Sequence, residues 1–157
     1  MKTMTLIKKL ENKNERTSQQ IRALFQASYK IEAELLKATD FPPLNRKLED
    51  FVDCDTEFYG LLKDDEIAAI VEVKADKKVT DIHSLVVHPH YFRQGLGKKL
   101  MQFVLDTFDS ESYIVETGLE NEPAKKLYKQ LGFVEQSQWD TAIGIRKIGF
   151  KRDLARR

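Results

Sequence analysis

The chain has 157 residues, 41 % apolar and 32 % charged, with 26 basic against 25 acidic side chains. That suits one domain with a sizeable core and excludes a disordered or membrane-like chain, and the near-balanced charge does not imply a general affinity for nucleic acid. Apolar runs such as Ile67–Val71 are too short to span a bilayer, no signal-peptide stretch follows Met1-Lys2, and the lone Cys54 excludes an internal disulfide, so a cytoplasmic location with no membrane partner is expected.

Thr3 to Lys9 reads as a first strand. Thr17 to Leu36 carries Ile21, Leu24, Phe25 and Ser28 on one helical face, as one bent or two consecutive helices. Asp40 to Leu44 must be irregular, because its two prolines remove donors and restrict the residues before them; a short helix from about Asn45 to Val52 follows. Glu57 to Leu62 and Glu66 to Lys74 read as strands joined by a tight Lys63-Asp64-Asp65 turn, and Val79 to Val87 as the third strand of the meander. Glu49 to Glu66 holds eight acidic residues against one lysine. Leu96, Leu100, Phe103, Val104 and Phe108 form a helical stripe, Ser112 to Thr117 a buried strand, and Phe133 to Asp140 with Ile143 to Lys151 the closing pair. The order is β-α-α-β-β-β-α-β-α-β-β, an α/β chain whose helices can cover both faces of one mixed sheet.

The run from Leu85 to Leu100 carries most of the functional signal. A strand breaks at Pro89, a compact turn follows, and a helix begins, so several backbone N–H groups and the positive end of a helix dipole converge where phosphate oxygens can sit. Gly95 and Gly97 permit positive φ and close approach of a ligand to the backbone, and Arg93 and Lys98 can add positive charge. A dinucleotide fingerprint fails because Leu100 stands at its third small position. A P-loop fails because Phe92 and Lys99 replace its first glycine and its hydroxyl. From Asn121 to Phe133 the chain reads as a capped helix: Asn121 is the N-cap, Pro123 lies in the first turn, Ala124, Leu127, Tyr128 and Leu131 share one face, and Gly132 closes the end.

Together Phe92-Arg93-Gln94-Gly95-Leu96-Gly97 and Asn121-x-x-Ala124-x-x-x-Tyr128-x-x-x-Gly132-Phe133 resemble the two signatures of the GNAT superfamily of N-acetyltransferases, over roughly residues 56 to 150. The pyrophosphate loop of that family is usually Gln/Arg-x-x-Gly-x-Gly/Ala, and Phe92 departs from its first position. The resemblance implies one acetyltransferase domain over residues 1–157, with a mostly antiparallel mixed sheet. Acetyl-CoA would be the co-substrate, held by Leu85, Val86 and Val87 on the strand, by the turn from Phe92 to Lys98, and by Asn121 and Ala124. Tyr128 would protonate the departing thiolate, and an N–H at or beside Val87 would polarise the thioester carbonyl.

The acceptor amine needs a base. Asp81 and His83 are two apart in a strand and so share a face, fourteen and twelve residues before Gly95. In histone-type members of the family a glutamate base occupies the place of Asp81; in arylalkylamine-type members histidines occupy both places. Histidine titrates nearest neutral pH, and Asp81 would fix its tautomer. Bulk water and Glu116 on the adjacent strand are the other candidates. A metal site from His83, His88 and His90 is disfavoured, since no carboxylate or cysteine is spaced with them and the strand parity of His83 and His88 differs; no metal is expected. The expected reaction is direct transfer to a small-molecule or peptidyl amine, with the acidic stretch drawing a cationic acceptor, and a homodimer stays open. Two rivals remain at this stage: a non-catalytic acyl-CoA-binding or regulatory module on the same fold, and a nucleic-acid-binding domain using Lys151, Arg152, Arg156 and Arg157, which the lack of interleaved aromatics disfavours.

Overall fold

A computed structural model of the protein describes residues 5–153, so Thr3, where the first strand was expected to open, and Arg156 and Arg157 of the basic tail lie outside the described residues. Strands β1 (Thr5–Leu10), β2 (Glu57–Lys63), β3 (Glu66–Ala75), β4 (Val79–Val87), β5 (Ser112–Gly118), β6 (Val134–Asp140) and β7 (Arg146–Asp153) form one sheet in the order β1-β2-β3-β4-β5-β7-β6. Every pairing is antiparallel except β4 with β5. The expected mixed sheet and element order are both present.

Four helices cover it. Helix α1 is a single helix over Glu15–Leu35, resolving the choice between one and two. It starts earlier than expected because Asn14 caps it, its side-chain oxygen accepting from the Thr17 N–H at 3.0 Å. Neither proline nor glycine interrupts its apolar stripe. A 3-10 turn over Pro42–Asn45 and the short α2 (Leu48–Val52) follow, then α3 (Leu96–Thr107) and α4 (Glu122–Gln130).

Two cores form on opposite faces of the sheet. Leu96, Leu100, Met101 and Val104 of α3 pack with Val115, Tyr128, Ile148 and Phe150. On the other face Ile21, Leu24 and Phe25 of α1 and Phe51 of α2 pack with Phe58, Ile70 and Val86, and the Phe25 and Phe51 rings meet edge-on at 5.1 Å. Each fully buried side chain of this size contributes about 1.5–3 kcal/mol, more than a surface ion pair at about 0–1 kcal/mol, so these cores set where the sheet's ends lie.

Candidate active site

The parallel pairing of β4 with β5 runs only from Val79↔Ser112 to Ile82↔Val115. Beyond it the strands part: β4 continues to Val87 and β5 to Gly118 with no register between them. A bulge begins the separation. Val73 opposes Ile82 and Glu72 opposes Ser84, which leaves His83 as the extra residue on β4. Further along, the His88 N–H donates to the Ala68 carbonyl at 2.9 Å. Antiparallel alternation then aims the backbone groups of Val86 and Ser84 at β3, and those of Leu85 and Val87 at the gap.

The gap opens into a cavity of about 1010 Å³. That is at the upper end of ordinary ligand pockets, which run to about 300–1,000 Å³, and gives room for an extended thioester and a second substrate. At one end lies the start of α3. Gly95 is its N-cap in the left-handed conformation (φ 74°), and Arg93 is also left-handed (φ 64°). The first N–H groups of α3 have no helical carbonyl to meet, and the first capping bond runs from Lys99 N–H to Gly95 carbonyl at 3.1 Å. This is an anion-binding arrangement. Gly97, free to adopt positive φ, does not; a Cβ there would meet Leu127, Leu85 and Val87 side chains at ordinary distances of 3.6–3.9 Å. What Gly97 supplies is an open backbone.

Of the residues expected to hold the cofactor, Leu85, Val87, Phe92, Arg93, Gly95, Leu96, Gly97, Lys98, Asn121 and Ala124 line the cavity. Val86 does not. It is buried in the α1/α2 core, because the residue between Leu85 and Val87 must point to the opposite face. Gln94 does not line it either, its side-chain oxygen accepting from Lys63 Nζ at 2.6 Å.

Tyr128 lies on α4 and is only 4 % exposed. Among the described residues its hydroxyl has no hydrogen-bond partner, yet no buried side-chain oxygen is left without one, so the hydroxyl is reached from the cavity that Tyr128 lines. Burial, then the charge of Glu32, pushes its pKa above the ordinary tyrosine value of 10.0 and keeps it protonated. Asn121 caps α4, its Oδ1 accepting from the Ala124 N–H at 3.2 Å, while its Nδ2 donates to Glu32 (2.8 Å) and Thr117 (3.2 Å). The amide expected to face the pantetheine is thus committed to protein partners.

His83 lines the cavity, whereas Asp81 stands behind it, its Oδ2 3.4 Å from His83 Nε2. Both are half-exposed. Burial raises the Asp81 carboxyl above the ordinary range, Glu116 adds to this, and His83 opposes it. Glu116 is held by Lys147 at 2.8 Å. The bulge at His83 removes the parity argument that separated it from His88, but among the described residues no group of three or more His, Cys, Asp or Glu side chains is placed to hold a metal ion.

The acidic stretch was expected to border the acceptor, and none of its eight carboxylates lines the cavity. Asp55 pairs with Lys74 at 2.5 Å, Asp50 caps α2 through the Lys47 N–H, and Glu57 and Glu66 accept from Tyr59 and Tyr91. The helix, turn and strand that carry them turn these side chains outward. Sequence reasoning missed the carboxylates that do line it besides Glu116: Glu32 from α1 and Glu72 from β3. Glu72, 2 % exposed, accepts two bonds from Arg46 (2.8 and 2.9 Å), one from Thr56 (2.6 Å) and one from Ser84 (3.0 Å). Burial alone would raise its pKa, and these donors more than offset it, holding the carboxyl below the usual range. Arg46 also stacks over Phe51 at 4.1 Å. Their partners lie far away in the chain, which is why no local motif marks them.

A mixed sheet that opens only at its single parallel pair, with a donor-rich helix start at the mouth, is the fold class of acyl-CoA-dependent N-acetyltransferases. The chain belongs to the acetyltransferase (GNAT) family, whose model matches residues 19–133. It is 31 % identical over 141 residues to the UPF0157 protein YqkA of Bacillus subtilis (strain 168), a match that takes in 89 % of this chain but 41 % of that protein's length. The ribosomal-protein-S18-alanine N-acetyltransferase from Escherichia coli shares the fold with a TM-score of 0.76 at 21 % identity, covering 96 % of this chain and 94 % of that one. A PaiA N-acetyltransferase from Thermoplasma acidophilum, solved in complex with coenzyme A, reaches 0.75 at 14 % identity, covering 96 % and 99 %. No helix among the described residues is long and apolar enough to cross a membrane.

Proposed function

We propose that the chain is a cytoplasmic N-acyltransferase domain that moves the acetyl group of acetyl-CoA to a primary amine by direct attack in a ternary complex. The observation that carries this reading is the parting of β4 and β5 between a glycine-capped helix start and the Tyr128 hydroxyl, which has no partner among the described residues.

Bound acetyl-CoA would supply an activated acyl carbon and a thiolate leaving group. The first N–H groups of α3, with Arg93 and Lys98, would hold its phosphates. Leu85 and Val87 would pair their free backbone groups with its extended arm as a strand edge does, and Val87 N–H would polarise the thioester carbonyl. His83, oriented by Asp81, would take the amine's proton, and Tyr128 would protonate the sulfur. Cys54 is half-buried on the other face, its thiol donating to the Phe51 carbonyl at 3.1 Å, so no acyl-enzyme through it is proposed.

The test is turnover of acetyl-CoA across a panel of amines, read by free-thiol release and by the mass of the acetylated product. Amine-dependent thiol release with a matching product supports the reading. Tight CoA binding with no amine-dependent release would instead make the chain a non-catalytic binding module.

A further inference from the structure

Three carboxylates line the cavity, and two already have cations: Arg46 on Glu72 and Lys147 on Glu116, each at 2.8 Å. Glu32 forms no ion pair with any described residue. Its two hydrogen bonds, from Asn121 Nδ2 at 2.8 Å and Thr117 Oγ1 at 3.3 Å, both end on Oε1. Oε2 has no donor among the described residues, and since no buried side-chain oxygen is left unpartnered, Oε2 is open to the cavity that Glu32 lines. Burial holds this carboxyl above its ordinary pKa of 4.5, against the opposing pull of Asn121, Thr117 and Lys147. A cation arriving at Oε2 would relieve that penalty.

Apolar side chains line the same cavity. Tyr29 stands one turn back on α1 and Leu36 just past its end, on the same side of the helix. Phe41 and Pro42 come from the segment after α1, with the Tyr29 and Phe41 rings edge-on at 5.9 Å, and Ile143 from the loop between β6 and β7. Resting on the acyltransferase reading of this cavity, we propose that Glu32 receives the acceptor's ammonium group. The acceptor is then a primary amine with a single positive charge and an apolar body, seated against Tyr29, Phe41, Pro42 and Ile143. A second cation on the acceptor would find the other cavity carboxylates already paired.

Glu32 binds and orients; the bond changes are those of the transfer itself. The N–C bond forms as the C–S bond breaks. Of the ammonium's three protons one stays on the amide, one leaves through His83 to solvent, and one restores the Tyr128 hydroxyl that protonated the sulfur.

The experiment titrates cyclohexylmethylamine, ethylamine and 1,4-diaminobutane into CoA-saturated protein by calorimetry. Glu32→Gln keeps an oxygen for Asn121 and Thr117 but removes the charge. It should weaken cyclohexylmethylamine about ten- to hundred-fold, the value of a charge-assisted bond, with CoA affinity and melting temperature unchanged. Phe41→Ala should weaken cyclohexylmethylamine more than ethylamine, and in turnover the Glu32→Gln loss should fall on KM for the amine. Unchanged amine affinity in Glu32→Gln, tighter binding of the diamine than of cyclohexylmethylamine, or no binding of any amine would overturn the proposal. Loss of CoA affinity in the same variant would also overturn it, by making Glu32 a support for Asn121. If wild-type protein binds no CoA, the acyltransferase reading fails by itself, and the same titrations on unliganded protein still decide Glu32.

Discussion

Tyr128 and Glu72 show how surroundings fix the protonation of single side chains in this cavity. Tyr128 is protonated because burial and Glu32 penalise its phenolate. Tyr128→Phe removes only the hydroxyl, so CoA affinity should hold while turnover falls about 10²–10⁴-fold. Single-turnover kinetics checks this, and an unchanged chemical step would leave Tyr128 a packing residue. Glu72 is the opposite case, its pKa lowered chiefly by Arg46 against the cost of burial. A carboxyl with a depressed folded pKa contributes stability that is present above its unfolded value, here 4.5, and lost as pH falls through the folded pKa. Arg46→Met should therefore cost about 3–5 kcal/mol near neutrality, by leaving a buried carboxylate unpaired. Glu72→Gln should lose part of the parent's acid sensitivity; equal slopes of stability against pH below 4.5 in parent and variant would refute the pairing's role. The buried face that carries Tyr128 and the Asn121 cap were legible from helical spacing and capping chemistry, whereas a site role for either came only from the resemblance to the family's second signature. Arg46–Glu72 and Glu32–Asn121 were not, because they join residues 26 and 89 positions apart.

At the scale of elements, the two glycines of the turn do different work, and substitutions can separate them. Gly95 caps α3 at φ 74°, where an L side chain is strained by about 1–2 kcal/mol although nothing stands within 4 Å of an added Cβ. Gly97 lies inside the first turn of α3 with room for a methyl group. Gly95→Ala should lower the melting temperature, whereas Gly97→Ala should hold or raise it, since alanine is favoured over glycine in a helix by about 0.5–1 kcal/mol. If the cofactor lies against this backbone, Gly97→Ala should still weaken CoA binding in calorimetry. Unchanged affinity in that stable variant would move the phosphates elsewhere. Strand β4 marks the limit of period-two reasoning. Alternation correctly paired Asp81 with His83, but the bulge at His83 shifts the phase beyond it, and a bulge depends on the partner strand, which no single segment reveals.

For the whole molecule, the element order and the two helical layers were readable because apolar periodicity reports which face of each element is covered. The parting of the strands was not readable from that pattern, since it is an absence of pairing. Nor was the composition of the cavity wall, to which α1, the prolines after it and the β6–β7 loop contribute from distant parts of the chain. A sheet opened in this way leaves the backbone groups of Leu85 and Val87 without a strand partner across the gap. A ligand that supplies that edge binds the folded chain and not the unfolded one, so it must stabilise the fold by mass action. At a CoA concentration a hundred times its Kd the gain is about 2.7 kcal/mol. For a chain of this size, each kcal/mol moves the melting temperature by about 2–4 °C, so a rise of about 5–11 °C is expected. Hydrogen exchange should slow in the same samples at residues 85–87 and 116–118, the two sides of the gap, and stay unchanged in β1. A melting temperature that ignores CoA, or protection confined to the phosphate turn, would mean that the opened sheet does not hold the cofactor's extended arm.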